Sequence, residues 1–323
     1  MKFMQPTDVL LATSLPLTIR EIYLRMRQTV NLFLAISMLL LLDSCKKENV
    51  FPNNPIPPNE EVSTLTVEQY VNRCFIDLLG RAATESELSG FVAFLESDNF
   101  SIETRKSFIS ELQSDALYQA EYLNKVYVDM KARYLDGVNN DEIQNEANFW
   151  LSQALQAYSL GDALSYELTL LEYQKIMGIR NMAVNWESNP LDYAASAKAM
   201  MFNSIYDDLN MGVFNFIHAA FDQNFYRYPT DQEYEQLYAA VEYNGPGMLF
   251  QQNVSSKSEM LDVLVESTEF KEGLVRWFYR TYYIREPDTN ELVSGIAYWS
   301  ASNDFNAFLQ QILSNDEYAG LNP

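Results

Sequence analysis

Apolar positions along most of this chain recur at helical spacing. From Glu68 to Leu79, the residues Tyr70, Val71, Cys74, Phe75, Leu78 and Leu79 fall at i, i+3 and i+4 intervals. That is the one-sided stripe of an amphipathic helix. Thr66-x-x-Gln69 supplies a capping signal at its start. Ser256-x-x-Glu259 opens another helix ahead of Met260, Leu261, Val263, Leu264 and Val265. No strict two-residue alternation appears, and no Asn-Gly turn lies between β-branched runs. The pattern predicts an all-α chain.

The stripes repeat at long range. Phe75-Ile-Asp-Leu-Leu-Gly-Arg81-Ala-Ala-Thr84-Glu-Ser-Glu87-Leu88 aligns without gaps with Phe221 to Tyr234 and with Tyr279 to Leu292. An aromatic recurs at 75, 221 and 279, and an arginine at 81, 227 and 285. Thr84-x-x-Glu87, Thr230-x-x-Glu233 and Asp288-x-x-Glu291 each read as a capping box. In such a box the short side chain accepts from the third helical N–H, and the Glu accepts from the cap's own N–H. Each copy therefore predicts a helix ending near the Arg, a tight turn and a new helix. Pro229 and Pro287 sit just before two of the caps. A weaker copy, Asn139 to Ile143, keeps the box but has Asp136 in place of Arg. Unit ends also match: Leu112 to Tyr118 resembles Ile312 to Tyr318, with looser versions ending at Tyr206 and Phe270. The expected architecture is degenerate helix–turn–helix repeats packed as a helical array, with units at 66–118, 119–206, 207–270 and 271–323.

The N-terminus reads differently. Val30 to Leu42 is a thirteen-residue run broken only by Asn31 and Ser37, too short for the ~20 residues of a spanning helix and suited to a signal-peptide core. Leu42-Asp43-Ser44-Cys45 follows and resembles the lipobox of bacterial lipoproteins, with an unusual Asp at its middle position. The resemblance implies that Cys45 becomes the lipidated first residue after removal of a signal region, 1–44. Met26-Arg27 makes a basic start to a compact signal. Met26 is then the true start and residues 1–25 an upstream extension; the alternative is that the long leader is real. Pro52, Pro55, Pro57 and Pro58 make 45–63 an extended tether reaching on the order of 50 Å at ~3.1 Å per residue. The folded part divides into repeats one and two (64–206) and three and four (207–323).

Charge and composition narrow the chemistry. Lys+Arg number 22 against 44 Asp+Glu, for a net charge of -22. A phosphate backbone would be repelled, so no nucleic-acid partner is expected. One His and two Cys leave no His-rich metal site and no disulfide framework. With Cys45 lipidated, Cys74 on the apolar face has no partner and reads as an inert buried thiol.

The Phe-x-x-Leu-Leu-Gly-Arg…Glu-Leu pattern, with Arg285-Glu286-Pro287-Asp288, resembles the bacterial surface-protein repeat of domain-of-unknown-function family 4214, whose units resemble phycobilisome-linker domains. Ile284 stands where that signature has Gly, and the first unit lacks its Pro. The resemblance implies envelope or extracellular placement, a scaffold or binding role and no established catalytic residue.

Candidate chemistry is sparse. Arg81, Arg227 and Arg285 read as turn-fixing residues that bond the last carbonyls of their helices or pair with the capping Glu, since one active site would not need three copies. His218, in the apolar stretch Phe214 to Phe221, has no neighbouring nucleophile in a recognisable frame and reads as a partly buried structural residue. Asp136 to Glu142 is oxygen-rich, but its Gly is misplaced for an EF-hand and it reads as a capped turn. No carboxylate pair stands out for a hydrolase. Trp277, Tyr282, Tyr283 and Trp299 crowd the last unit; core packing accounts for most such rings, with a stacking surface for sugar or protein as the alternative. No catalytic residue, metal or cofactor is expected. The expectation is a lipid-anchored protein of the bacterial envelope, on the outer membrane, that docks another envelope protein, with glycan binding as the alternative.

Overall fold

Local capping chemistry sets where each element begins. A computed structural model describes residues 62–321. Cys45, the signal region and the tether up to residue 61 lie outside the described residues. Within them are fifteen α-helices and one two-stranded hairpin, an all-α array. The first unit comprises α1 (Thr64–Leu79), α2 (Glu85–Glu96) and α3 (Ile102–Ser114). Ser63, rather than Thr66, caps α1 by accepting from the Thr66 N–H. Seven residues of α1 are buried, and each fully buried apolar side chain contributes about 1.5–3 kcal/mol. The second unit holds α4 (Gln119–Tyr134), α5 (Asn140–Leu160), α6 (Ala163–Arg180), α7 (Met182–Ser188) and α8 (Tyr193–Met201).

The third unit holds α9 (Ser204–Leu209), α10 (Val213–Phe225), α11 (Asp231–Tyr243), strands β1 (Gly247–Leu249) and β2 (Gln252–Val254), and α12 (Lys257–Glu266). The fourth holds α13 (Thr268–Phe278), continued by a π-helical turn (Tyr279–Tyr283), then α14 (Thr289–Ser302) and α15 (Phe305–Leu313). Two expected unit ends fall inside helices. Asn203 caps α9, so the break precedes Tyr206; Ser267 caps α13, so the break precedes Phe270. The β-hairpin carries no Asn-Gly because Phe250 and Gln251 take the left-handed conformation themselves, at φ +48° and +65°. No described helix is long and apolar enough to cross a membrane.

The array closes on itself. Tyr70 of α1 donates to the Leu313 carbonyl at 3.2 Å, and Tyr318 donates to Asp77 at 2.7 Å. Arg73 donates to the carbonyls of Tyr318 and Tyr282. Tyr122 of α4 bonds Asn306 at 2.5 Å, and buried Arg105 bonds Asp316. First and last units thus cover each other's ends. At the crossing of α10 and α13, a Cβ on Gly273 would lie 1.7 Å from the Asn224 carbonyl oxygen, so the backbones meet there directly.

Candidate functional site

The three arginine turns share one geometry. Arg81 makes paired bonds to Glu87 at 2.9 and 2.9 Å, a bond to Glu121 at 2.6 Å and one to the Ala82 carbonyl at 3.2 Å. Arg227 repeats this with Glu233, Glu269 and the Tyr228 carbonyl. Arg285 repeats it with Glu291, Glu317 and the Glu286 carbonyl. Each guanidinium lies over the recurring aromatic, 5.2 Å from the Phe75 centroid and 5.1 Å from those of Phe221 and Tyr279. The capping Glu simultaneously completes its box with Thr84, Thr230 or Asp288. Asn139 and Glu142 form the fourth box, without an arginine.

These contacts occupy the donors. A guanidinium has five N–H groups; Arg227 and Arg285 use all five, leaving nothing with which to hold a ligand anion. The bonded carbonyl is that of the next residue, not of the preceding helix. Arg81, with the cap bonds of Thr84, holds the Glu87 carboxyl down at about 2. Burial pushes Glu233 upward, but Arg227 and the Thr230 cap outweigh it and the net shift is down. The second carboxylate lies at the start of the next unit for Arg81 and Arg227 (Glu121 and Glu269) and in the turn after α15 for Arg285 (Glu317). Sequence reasoning missed it, although Glu121-Tyr122, Glu269-Phe270 and Glu317-Tyr318 share a Glu-aromatic signature.

The aromatic cluster of the last unit is not a surface. Trp299 is 2% exposed and Tyr282 4%. Trp277 and Tyr283 are half-buried. The Tyr283 hydroxyl donates to the Ile312 carbonyl, and Trp277 packs against Tyr193, Phe278 and Phe305. Core packing accounts for these rings, and the alternative of a stacking platform does not hold for Tyr282 and Trp299: α13, the π turn, α14 and α15 converge there, and their rings fill the space between them. Cys74 is fully buried, and burial pushes its thiol up to about 12.

Two concavities were invisible in the sequence. Asp77, Lys125, Asp129, Tyr122, Tyr193 and Trp277 help line a central pit between α1, α4, α8 and the fourth unit. It brings two carboxylates together, yet its volume of about 10 Å³ holds at most one water. Lys125 bonds both Asp129 oxygens at 2.6 Å. A groove of about 490 Å³ between α6, α7 and α8 is lined by Lys175, Met182, Trp186, Lys198 and Phe202. Both lysines are already paired, Lys175 with Glu172 and Lys198 with Asp262, each at 2.5 Å. Among the described residues, no group of three or more His, Cys, Asp or Glu side chains gathers as a metal site.

Exposed apolar side chains gather on the α5–α6 hairpin. Its buried residues are few: Ile143, Ala147, Ala154 and Ala157 on α5, Ile176 and Ile179 on α6. Leu164, Leu168 and Leu171 stand at i, i+4 and i+7 on α6, roughly half to two-thirds exposed. The i, i+4 and i+7 spacing sets all three on one face of α6. Leu155, Tyr158 and Leu160 are also exposed. Residues 147–161 carry no charge at all, in a chain where one residue in five is charged. No protein-family model, curated protein or solved structure matches the chain, so the likeness to the linker-like repeat rests on the arginine turns.

Proposed function

We propose that this chain is a lipoprotein of the bacterial envelope, anchored at the outer membrane through Cys45, and that it works as a non-catalytic adaptor docking another envelope protein. The observation that carries the docking role is the α5–α6 hairpin. Its α6 leaves the stripe of Leu164, Leu168 and Leu171 uncovered within the chain. An exposed apolar stripe rimmed by polar residues is the composition of a protein interface. The surrounding body is acidic, so a partner with an apolar centre and a basic rim is favoured electrostatically. The arginine triads serve this role by holding the frame from which the hairpin projects.

A photo-crosslinking residue placed at Leu168 in cells tests the docking role. Adducts to one envelope protein, lost in Leu164→Glu/Leu171→Glu, are expected. Adducts equally abundant in that variant, or none beyond those of a probe at exposed Glu235, refute it. The anchor is tested separately: Cys45→Ala protein should remain unprocessed and lose membrane attachment, and unchanged fractionation would refute lipidation there.

A further inference from the structure

A second surface is built differently, from rings rather than aliphatics. It lies on α10, the Arg227 turn and α11. Tyr228, His218, Phe214, Tyr234, Tyr238 and Tyr243 form an unbroken series in which each ring centroid is 3.8–6.0 Å from the next. Tyr228 is 65% exposed and Tyr243 68%. Phe214 and His218 are four residues apart on α10, and Tyr234 and Tyr238 four apart on α11, so the two helices present their rings side by side. The supports are firm: Arg227 bonds the Tyr228 carbonyl, Thr230 and Glu233 cap α11, and the His218 Nδ1 meets the Phe214 carbonyl at 2.8 Å.

The charge around the rings selects what can lie on them. Asp222 continues the Phe214–His218 row of α10. Asp231 and Glu242 bracket the tyrosines of α11, with Glu235 alongside, and all four carboxylates are exposed. Neither α10 nor α11 contains Lys or Arg, and Arg227 between them has every donor occupied. A phosphate, a nucleic acid or an acidic sugar meets only repulsion here. A neutral sugar chain does not. Its C–H faces carry partial positive charge and settle on the negative faces of the rings. Its hydroxyls both donate and accept, matching carboxylate acceptors and phenol groups that do both. From Tyr234 to Tyr243 the series runs about 13 Å along α11, long enough for more than one sugar unit.

We propose that this aromatic series is a binding site for neutral polysaccharide. It is separate from the α5–α6 hairpin and does not rest on the adaptor role. The test is affinity electrophoresis of the full chain in non-ionic detergent, with gels containing a neutral β-glucan, glucomannan or galactomannan, and polygalacturonate as the acidic comparison. Retardation by at least one neutral polymer, undiminished by 0.5 M salt and absent with polygalacturonate, is expected. Tyr228→Ala/Tyr243→Ala, whose side chains are too exposed to hold the fold, should weaken retardation about tenfold. Leu168→Ala on the hairpin should leave it unchanged. No retardation by any of the three neutral polymers overturns the proposal. So does retardation that survives in the double variant, or that salt abolishes.

Discussion

Replacing Arg81 by Met keeps the length of the side chain over Phe75 and removes the charge between Glu87 and Glu121. In the intact triad the Glu87 carboxyl sits at about 2 against about 4.3 in an unfolded chain. Undiscounted, that difference is worth about 3 kcal/mol. Arg81 is 34% exposed and Glu87 17%, and the Thr84 cap supplies part of the shift, so the share lost with Arg81 is roughly 1–1.5 kcal/mol after solvent screening. Bringing Glu87 and Glu121 together without their cation adds about 0.5 kcal/mol. The expected loss is thus about 2 kcal/mol at pH 7, a fall in Tm of about 4–8 °C for a domain of this size. The pH dependence has a definite sign. A carboxylate depressed in the folded state stabilises fully above its unfolded value, and that stability disappears as pH falls toward the folded value. The gap between wild type and Arg81→Met should therefore be constant from pH 7 to pH 5.5 and fall by more than half at pH 3. Urea unfolding followed by circular dichroism measures it. A gap that stays the same at pH 3 would show that Arg81 acts through packing on Phe75, and the charge account would be wrong.

Two further substitutions test the backbone. Ile284 holds the left-handed position at φ +57° that Gly80 fills in the first unit, and it is 79% exposed. Ile284→Gly relieves about 1–2 kcal/mol of αL strain and costs about 0.5–1 kcal/mol of chain entropy, so the protein should gain about 0.5–1 kcal/mol, read as a higher urea midpoint with an unchanged slope; a lower midpoint would contradict the strain. Gly273→Ala drives a methyl into the Asn224 backbone and should cost about 3 kcal/mol or more; a melting temperature within a degree of wild type would mean that α10 and α13 do not touch there.

What could be read in advance was what is local. A capping box is decided by four consecutive residues, so Thr84, Thr230, Asp288 and Asn139 announced their helices. The recurring arginine was legible as a turn-fixing residue because its Glu lies six positions on. The second glutamate lies 40, 42 or 32 residues from its arginine, and nothing local ties the two together. The same limit hid the closure of the array: Tyr70 and Leu313 are 243 residues apart. The same limit left the aromatic residues open between core and surface. Ring density along the sequence peaks in the last unit, but exposure depends on how many helices converge on a ring. Trp299 is enclosed by α13 and α15. Tyr228 and Tyr243 stand at turns with open space beside them.

The second unit shows what the triads do by lacking one. Where an arginine is present, the capping Glu is tied through it to a second Glu that lies 32–42 residues from that arginine, at the start of the next unit or in the final turn. Asp136 cannot make this tie, because it would set a carboxylate against Glu142. Helix α5 bonds the following unit near its base, where Ser204 meets Glu146 at 2.6 Å and Trp150 at 2.8 Å. Beyond Trp150 it packs chiefly against α6. Helix α5 runs to 21 residues and leaves Leu155, Tyr158 and Leu160 exposed along its last turns. The unit without the arginine is thus also the one that carries the hairpin with the exposed apolar stripe.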